Sequence, residues 1–308
     1  MKNLFSIFFI AIFTIANAQE SKESSNRFFY ELSFKPKKDS AKLDKVIAVL
    51  DITDKNRSVY QDYTVISQDS ITKVEIEAMQ KAGVYKDLSK SLKTPKFSAR
   101  IYKSYPSMKV EYVDKVANGM TPVNIAYTED LKFNWKISDE KQKIGEYNAQ
   151  KATAEYGGRT WTAWFSSDLP FQDGPYKFNG LPGLIVKIED ADKNYSWVLQ
   201  GNKKVKEYNE FSYMETMAQA TGGKPKELTR EKFEKTFNDF KKDPFASVRP
   251  MMSQEIMSRP KPRTNGTIGD MMKKQEKMYK DFYNANDNPI EKSGTVSVGK
   301  VEVVKDKK

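Results

Sequence analysis

Polar and apolar residues alternate with a period of two along much of this chain. In residues 27–34 the even positions Phe28, Tyr30, Leu32 and Phe34 form one apolar face, the pattern of a half-buried strand. Segments 45–52 and 59–66 repeat the signal on either side of the polar stretch 54–57 and predict a hairpin. Helical spacing appears at Ile71, Val74, Ala78 and Ala82, with Asp69 or Ser70 as a cap and Gly83 as a stop. Strand patterns resume at 96–103, 109–114, 122–127 and 133–137. Segment 143–156 reads as extended, because it runs into the Gly157-Gly158 turn and a strand at 160–165 with aromatic residues on both faces. The clearest hairpin joins 184–189 to 195–199 through a turn at 190–194.

Beyond the break at 221–225 the pattern turns helical. Thr229 caps a helix over 230–242 whose Phe233, Phe237 and Phe240 fall on one stripe. A basic, proline-broken linker at 259–266 precedes a Met- and Lys-rich helix over 268–284, and 296–304 carries a weak strand signal. At least eight strands with short connections and two or three helices predict an α+β, mainly antiparallel fold: a large curved sheet or half-barrel with a few short helices.

The beginning of the chain changes the picture. Lys2, an apolar run at 4–15 and the small-x-small triplet Ala16-Asn17-Ala18 form a secretory signal peptide over 1–18. The run falls short of the roughly 20 residues that span a bilayer. A β-rich domain over 19–223 and a basic, helical and partly flexible region over 224–308 follow. With no cysteine the chain is not lipid-anchored through a thiol and has no disulfides. With no histidine, Ser-His-Asp triads, Cys-His dyads and ordinary zinc sites are excluded.

The net charge of +11 is uneven: residues 224–308 hold 20 Lys+Arg against 13 Asp+Glu, and 19–223 hold 31 against 28. The basic third is a solvated tail, or it docks on an anionic membrane surface or an acidic protein. Export and the near-neutral body speak against nucleic acid.

The densest motif is Gly174-Pro-Tyr-Lys-Phe-Asn-Gly-Leu-Pro-Gly-Leu-Ile185. Pro175 and Pro182 fix φ, and Gly174, Gly180 and Gly183 permit positive φ or a close backbone approach. Such a preshaped loop closes one end of a curved sheet or forms the rim of an apolar pocket. Arg159 is placed to stack on Trp161 or Trp164, or to fork onto Asp168 or Asp173. The turn containing Asp190, Asp192 and Asn194 matches the first ligands of a calcium loop, but it lacks the glycine and the distant glutamate and reads as a turn. Glu155, Asp168 and Asp173 are near in sequence without a spacing that marks an acid/base pair. Met251, Met252, Met257, Met271, Met272 and Met278 read as gap-fillers before copper ligands.

Trp135, Gly145, Lys151-Ala152, Gly158-Arg159, Ala163-Trp164-Phe165, Gly174-Pro175-Tyr176, Phe178 and the hexapeptide Gly-Leu-Pro-Gly-Leu-Ile at 180–185 resemble the GLPGLI (Porph_ging-type) family of exported Bacteroidota proteins. The resemblance is strongest over 135–200, and the stretch Asn288-Pro-Ile-Glu291 is also similar to the family. It implies export to the periplasm or the exterior and carries over no catalytic residue. The strand order is loosely similar to the lipoprotein-carrier fold, in which a curved half-barrel wraps an apolar cavity.

Together these features predict a non-enzymatic envelope protein that binds an apolar ligand, a peptide or an envelope partner. Arg159, Trp161, Trp164, Tyr176, Phe178 and Leu181 are the candidate ligand-binding residues, and no catalytic residue, metal or cofactor is assigned. Docking through the basic third is the alternative, and a hydrolase using carboxylates alone is a third reading. The mature protein is expected to begin at Gln19, which intact-mass spectrometry of the exported form checks directly; a retained residue 1–18 segment would overturn the signal-peptide reading.

Overall fold

The computed structural model describes residues 23–84, 88, 92–118, 121–213, 215–216, 224–260 and 266–292. The expected signal segment, the middle of the basic linker and the weak strand at 296–304 lie outside the described residues.

The alternating segments assemble into one sheet of twelve strands. In chain order these are β1 (Ser25–Phe34), β2 (Asp44–Thr53), β3 (Arg57–Asp62), β4 (Arg100–Ser104), β5 (Lys109–Asn118), β6 (Thr121–Glu129), β7 (Lys136–Ile144), β8 (Tyr147–Tyr156), β9 (Arg159–Ser166), β10 (Leu184–Asp190), β11 (Tyr195–Val205) and the two-residue β12 (Lys226–Glu227). Their spatial order is β12-β6-β5-β4-β3-β2-β1-β11-β10-β9-β8-β7. Two antiparallel meanders, β1–β6 and β7–β11, are therefore sewn together where β1 pairs with β11. Only β12 runs parallel to its neighbour, β6. The sheet is large, open and almost wholly antiparallel, as the alternation predicts.

Chain length forces this sheet to curl. Residues Glu129 to Lys136 lead from β6 to β7 and can span about 25 Å at most. In a flat sheet these strands would stand ten spacings, about 48 Å, apart. The sheet bends to bring its two ends together, and the loop between β9 and β10 fills the inside of the bend.

The inward face of β1 is the predicted one, with Phe28, Tyr30, Leu32 and Phe34 all buried. Trp161 of β9, Trp197 of β11 and Phe178 of the loop meet there, with ring centroids 4.8 Å apart for Trp161 and Phe178 and 6.1 Å for Phe178 and Trp197.

Three local expectations change. The strand expected to reach residue 66 ends at Asp62, because its carboxylate accepts the Thr64 amide at 2.8 Å and caps a short helix, α1 (Tyr63–Ser67). The strand expected at 133–137 begins only at Lys136. Phe133 and Trp135 turn inward instead, and the Trp135 indole donates to the Asn179 carbonyl at 2.8 Å. β7 itself has no alternation and is exposed on both faces, a charged edge that discourages strand addition. The helix α2 (Asp69–Ala82) ends at Gly83 as expected, but Ile71 and Val74 face solvent while Thr72 is buried.

Past β12, α3 (Arg230–Lys242) lays Phe233 and Phe240 onto the sheet and the neighbouring helix. Phe233 meets Tyr127 of β6 at 4.8 Å and Tyr112 of β5 at 5.6 Å. After the short α4 (Gln254–Ser258), α5 (Ile268–Ala285) opens with a Thr267–Asp270 capping box and packs Tyr279 on Phe240 at 5.3 Å. Strand pairing and aromatic contacts thus join the residues that follow 224 to β5 and β6.

Gly183 tests the close packing of the loop. It sits at φ 151°, and a Cβ there would lie 2.2 Å from the Ser166 carbonyl oxygen. Gly183→Ala is expected to cost about 3 kcal/mol or more in urea unfolding. Gly145→Ala, at φ 57° in the open β7–β8 turn, is expected to cost about 1 kcal/mol. Equal costs would show that the loop is not held against β9.

Candidate functional site

The loop over 172–183 is held by two lysines that the fold removes from solvent. Lys103 shares the inward face of β4 with Ile101, and both are fully buried. Its ammonium ion-pairs with Asp173 and donates to the carbonyls of Gly174 at 2.6 Å and Tyr176 at 3.1 Å. The Tyr105 hydroxyl donates to the same aspartate at 2.5 Å. Burial pushes the Lys103 ammonium below its ordinary value, and Asp173 opposes that shift. Tyr176 takes a left-handed φ of 55°, which swings its ring and the following lysine into the interior.

That lysine, Lys177, ends between two glutamates. Its ammonium lies 2.5 Å from Glu129 of β6 and 2.7 Å from Glu291. Arg230, at the start of α3, bridges the same pair at 2.8 Å and 2.5 Å. The rings of Tyr112 and Tyr127 each stand 5.0 Å from the Lys177 ammonium. Burial pulls this ammonium down, but Tyr156, Glu291 and Glu129 outweigh it and hold its pKa above the ordinary lysine value. Burial would raise the Glu291 carboxyl, yet Lys177 and Arg230 hold it down at about 2.

A second guanidinium secures the segment that brings Glu291 here. Arg159 donates to Asp190 at 2.9 Å, to the Asn288 side chain at 2.9 Å and to the carbonyls of Pro289 and Ile290 at 2.9 Å each. Its guanidinium lies over Tyr195, 5.4 Å from the ring centroid.

Between the sheet, α3, α5 and this segment opens a cleft of about 590 Å³. Phe34, Phe97, Tyr112, Tyr127, Tyr176 and Tyr195 line it from the sheet side, and Phe233, Phe237 and Tyr283 line it from the helices. Charged side chains line it too, Asp114 of β5 with Lys96, Arg230, Glu231, Glu234, Lys241, Glu291 and Lys292. Burial pushes the Asp114 carboxyl up to about 6, and the Ser98 hydroxyl and Lys115 amide that donate to it offset this only in part. The cleft offers aromatic surface together with charged side chains of both signs, which suits holding a molecule.

The six candidate residues do not share one surface. Tyr176 lines the cleft. Trp161, Phe178 and Leu181 are buried beneath it in the aromatic core. Trp164 is three positions along the strand from Trp161 and so faces the other side, under the Lys151 ammonium at 5.8 Å. Arg159 forks onto neither Asp168 nor Asp173; its partner is Asp190, because the β9–β10 pairing sets Trp161 against Asp190 and brings the strand ends together. Asp190 is fully engaged by Arg159, Asn194 and the Tyr195 amide, so that turn is structural. Glu155 and Asp168 are exposed while Asp173 is buried, so they form no common set. Met272 is buried while Met251 and Met278 are exposed, and no metal-binding group of Asp or Glu occurs among the described residues.

Lys103, Glu129, Arg230 and Asp114 carry no motif in the sequence, and Lys177 and Glu291 stand in it only as members of the loop motif and of the Asn288–Glu291 stretch. A lysine on the apolar face of a strand and another between Tyr176 and Phe178 were the available signals for Lys103 and Lys177.

Glu291 makes the network pH-sensitive. Its carboxyl is ordinary when unfolded, near 4.5, and about 2 when folded. Its contribution is therefore complete above pH 4.5 and is lost as pH falls towards 2. The shift corresponds to about 3 kcal/mol. Glu291→Gln is expected to lower stability at pH 7 by about that amount and to flatten the acid limb of a urea-unfolding profile. An equally steep limb in the variant would place the acid sensitivity elsewhere.

Two solved structures, PNGF-II in the C2 and P21 space groups, are similar to this chain at 15% identity and a TM-score of 0.46. The similarity covers 69% of this chain and 32% and 33% of theirs, so the chain spans about a third of their length. No curated protein matches the chain. Residues 155–187 run from the end of β8 through the lysine-pinned loop into β10, and they match the model of the family described as "Protein of unknown function (Porph_ging)", so the GLPGLI resemblance is borne out over that stretch.

Proposed function

We propose that this chain is an exported binding protein whose aromatic cleft holds a largely apolar small molecule or peptide side chain. The observation that carries the reading is the cleft of about 590 Å³ walled by rings from both the sheet and the helices. That volume falls in the range of small-molecule sites, roughly 300–1,000 Å³. Export rests on the charged, apolar and small-x-small pattern of residues 1–18.

Two observations favour binding over the alternatives. Glu129 and Glu291 converge as a carboxylate hydrolase would require, but each is shared by Lys177 and Arg230. Glu291, held near 2, is a poor proton donor at neutral pH. In the basic third, Arg230, Lys235, Arg259, Lys277 and Lys280 are paired with carboxylates four residues away, which mutes the field a docking surface would use.

Titration with the neutral dye Nile red, followed by its fluorescence, tests the reading. Saturable binding is expected. Ala99 lines the cleft, and Ala99→Trp, which fills it, should weaken binding about tenfold or more without lowering the unfolding temperature substantially. Dye affinity unchanged by Ala99→Trp would overturn the cleft as the site.

A further inference from the structure

Five aspartates are buried among the described residues: Asp51, Asp62, Asp114, Asp173 and Asp190. Burying a carboxylate costs several kcal/mol unless its charge is met. Three are met by cations: Arg27 at 2.7 Å from Asp51, Arg159 at 2.9 Å from Asp190, and Lys103 on Asp173. Asp62 is met by three amides, those of Thr64, Lys96 and Phe97 at 2.8, 2.9 and 3.3 Å.

Asp114 is the exception. It is 4% exposed and lines the cleft. The Ser98 hydroxyl and the Lys115 amide both donate to its Oδ1, each at 2.7 Å, and Oδ2 receives neither. No cation among the described residues comes within ion-pair distance. The ammonium of adjacent Lys115 goes to Glu215 at 3.1 Å. Lys241 of α3 lines the same cleft and lies above Phe237, 5.4 Å from its ring centroid. Burial pushes the Asp114 carboxyl up, and the charges of Lys115 and Lys241 lower it in part without pairing with it. The phenols of Tyr112 on β5 and Tyr283 on α5 also interact with Asp114, and Lys96, Arg230, Glu231, Glu234, Glu291 and Lys292 line the same cleft. A carboxylate kept half-satisfied in a cavity of this kind marks a functional position.

We propose that Asp114 is the anchor of the cleft, and that the ligand carries an ammonium or guanidinium group beside an aromatic or aliphatic body. The cation meets Oδ2 in a charge-assisted hydrogen bond. Tyr112 and Tyr283, which interact with Asp114, supply aromatic rings beside the same charge, and Phe233 and Phe237 line the cleft for the apolar body. This inference rests on the binding reading and adds the ligand class to it.

Three probes separate the two: 4-phenylbutylammonium, its neutral counterpart 4-phenyl-1-butanol, and Nile red, titrated at pH 7.5 against wild type, Asp114→Asn and Ala99→Trp. The ammonium is expected to bind wild type about tenfold tighter than the alcohol. Asp114→Asn should equalise the two, and Ala99→Trp should weaken all three. Equal binding of ammonium and alcohol to wild type, with Nile red still bound, would overturn the anchor and leave the cleft. A preference that persists in Asp114→Asn would assign the anchor to another group. Failure of all three probes to bind would remove both readings. The wild-type comparison needs no variant, so it decides the question even if Asp114→Asn fails to fold.

Discussion

Two buried ammonium groups hold this molecule closed. Lys103 reaches from β4 into the carbonyls of the loop, and Lys177 reaches from the loop to a glutamate on β6 and another near the described end of the chain. Each desolvated charge is costly alone, and each is retained because its neighbours satisfy it from several directions. The pairs thus fix geometry more than they add net stability. They place the loop inside the curl of the sheet and prevent it from lying flat across β9.

The cleft follows from that closure. The short passage from β6 to β7 demands a curled sheet, and the pinned loop fills the lower part of the curl with Tyr176, Phe178 and Leu181. Arg230 and Arg159 then draw α3 and residues 288–291 over the upper part. What is left open between them is walled by aromatic rings from elements far apart in sequence. The same residues that lock the frame therefore also set the volume available to a ligand, and the network around Glu291 links that volume to the roof.

Local patterns carried well where side-chain burial alone decides the outcome. The even positions of β1, the phenylalanine stripe of α3 and the 184–199 hairpin are set by period and turn chemistry over a few residues. They failed where a distant partner intervened. Asp62 ended a strand because it found the amides of Thr64, Lys96 and Phe97. Phe133 and Trp135 left the expected strand for the loop's aromatic cluster. The outward stripe of α2 reflects a helix anchored by its polar side, with Gln68 on the backbone of Lys93 and Asp69 on the Tyr213 amide.

For the site the division is sharper. Periodicity and the glycine-proline motif were enough to determine a large antiparallel sheet, a buried rigid loop and an aromatic interior, because each depends on neighbours close in the chain. Pairing was decided by the tertiary structure alone. Arg159 met Asp190 and Asn288, Lys177 met Glu129 and Glu291, and Asp114 was left without a cation. Charge acts through space within a few ångströms, and these partners are brought together across separations of up to 129 residues by strand register that no local pattern encodes.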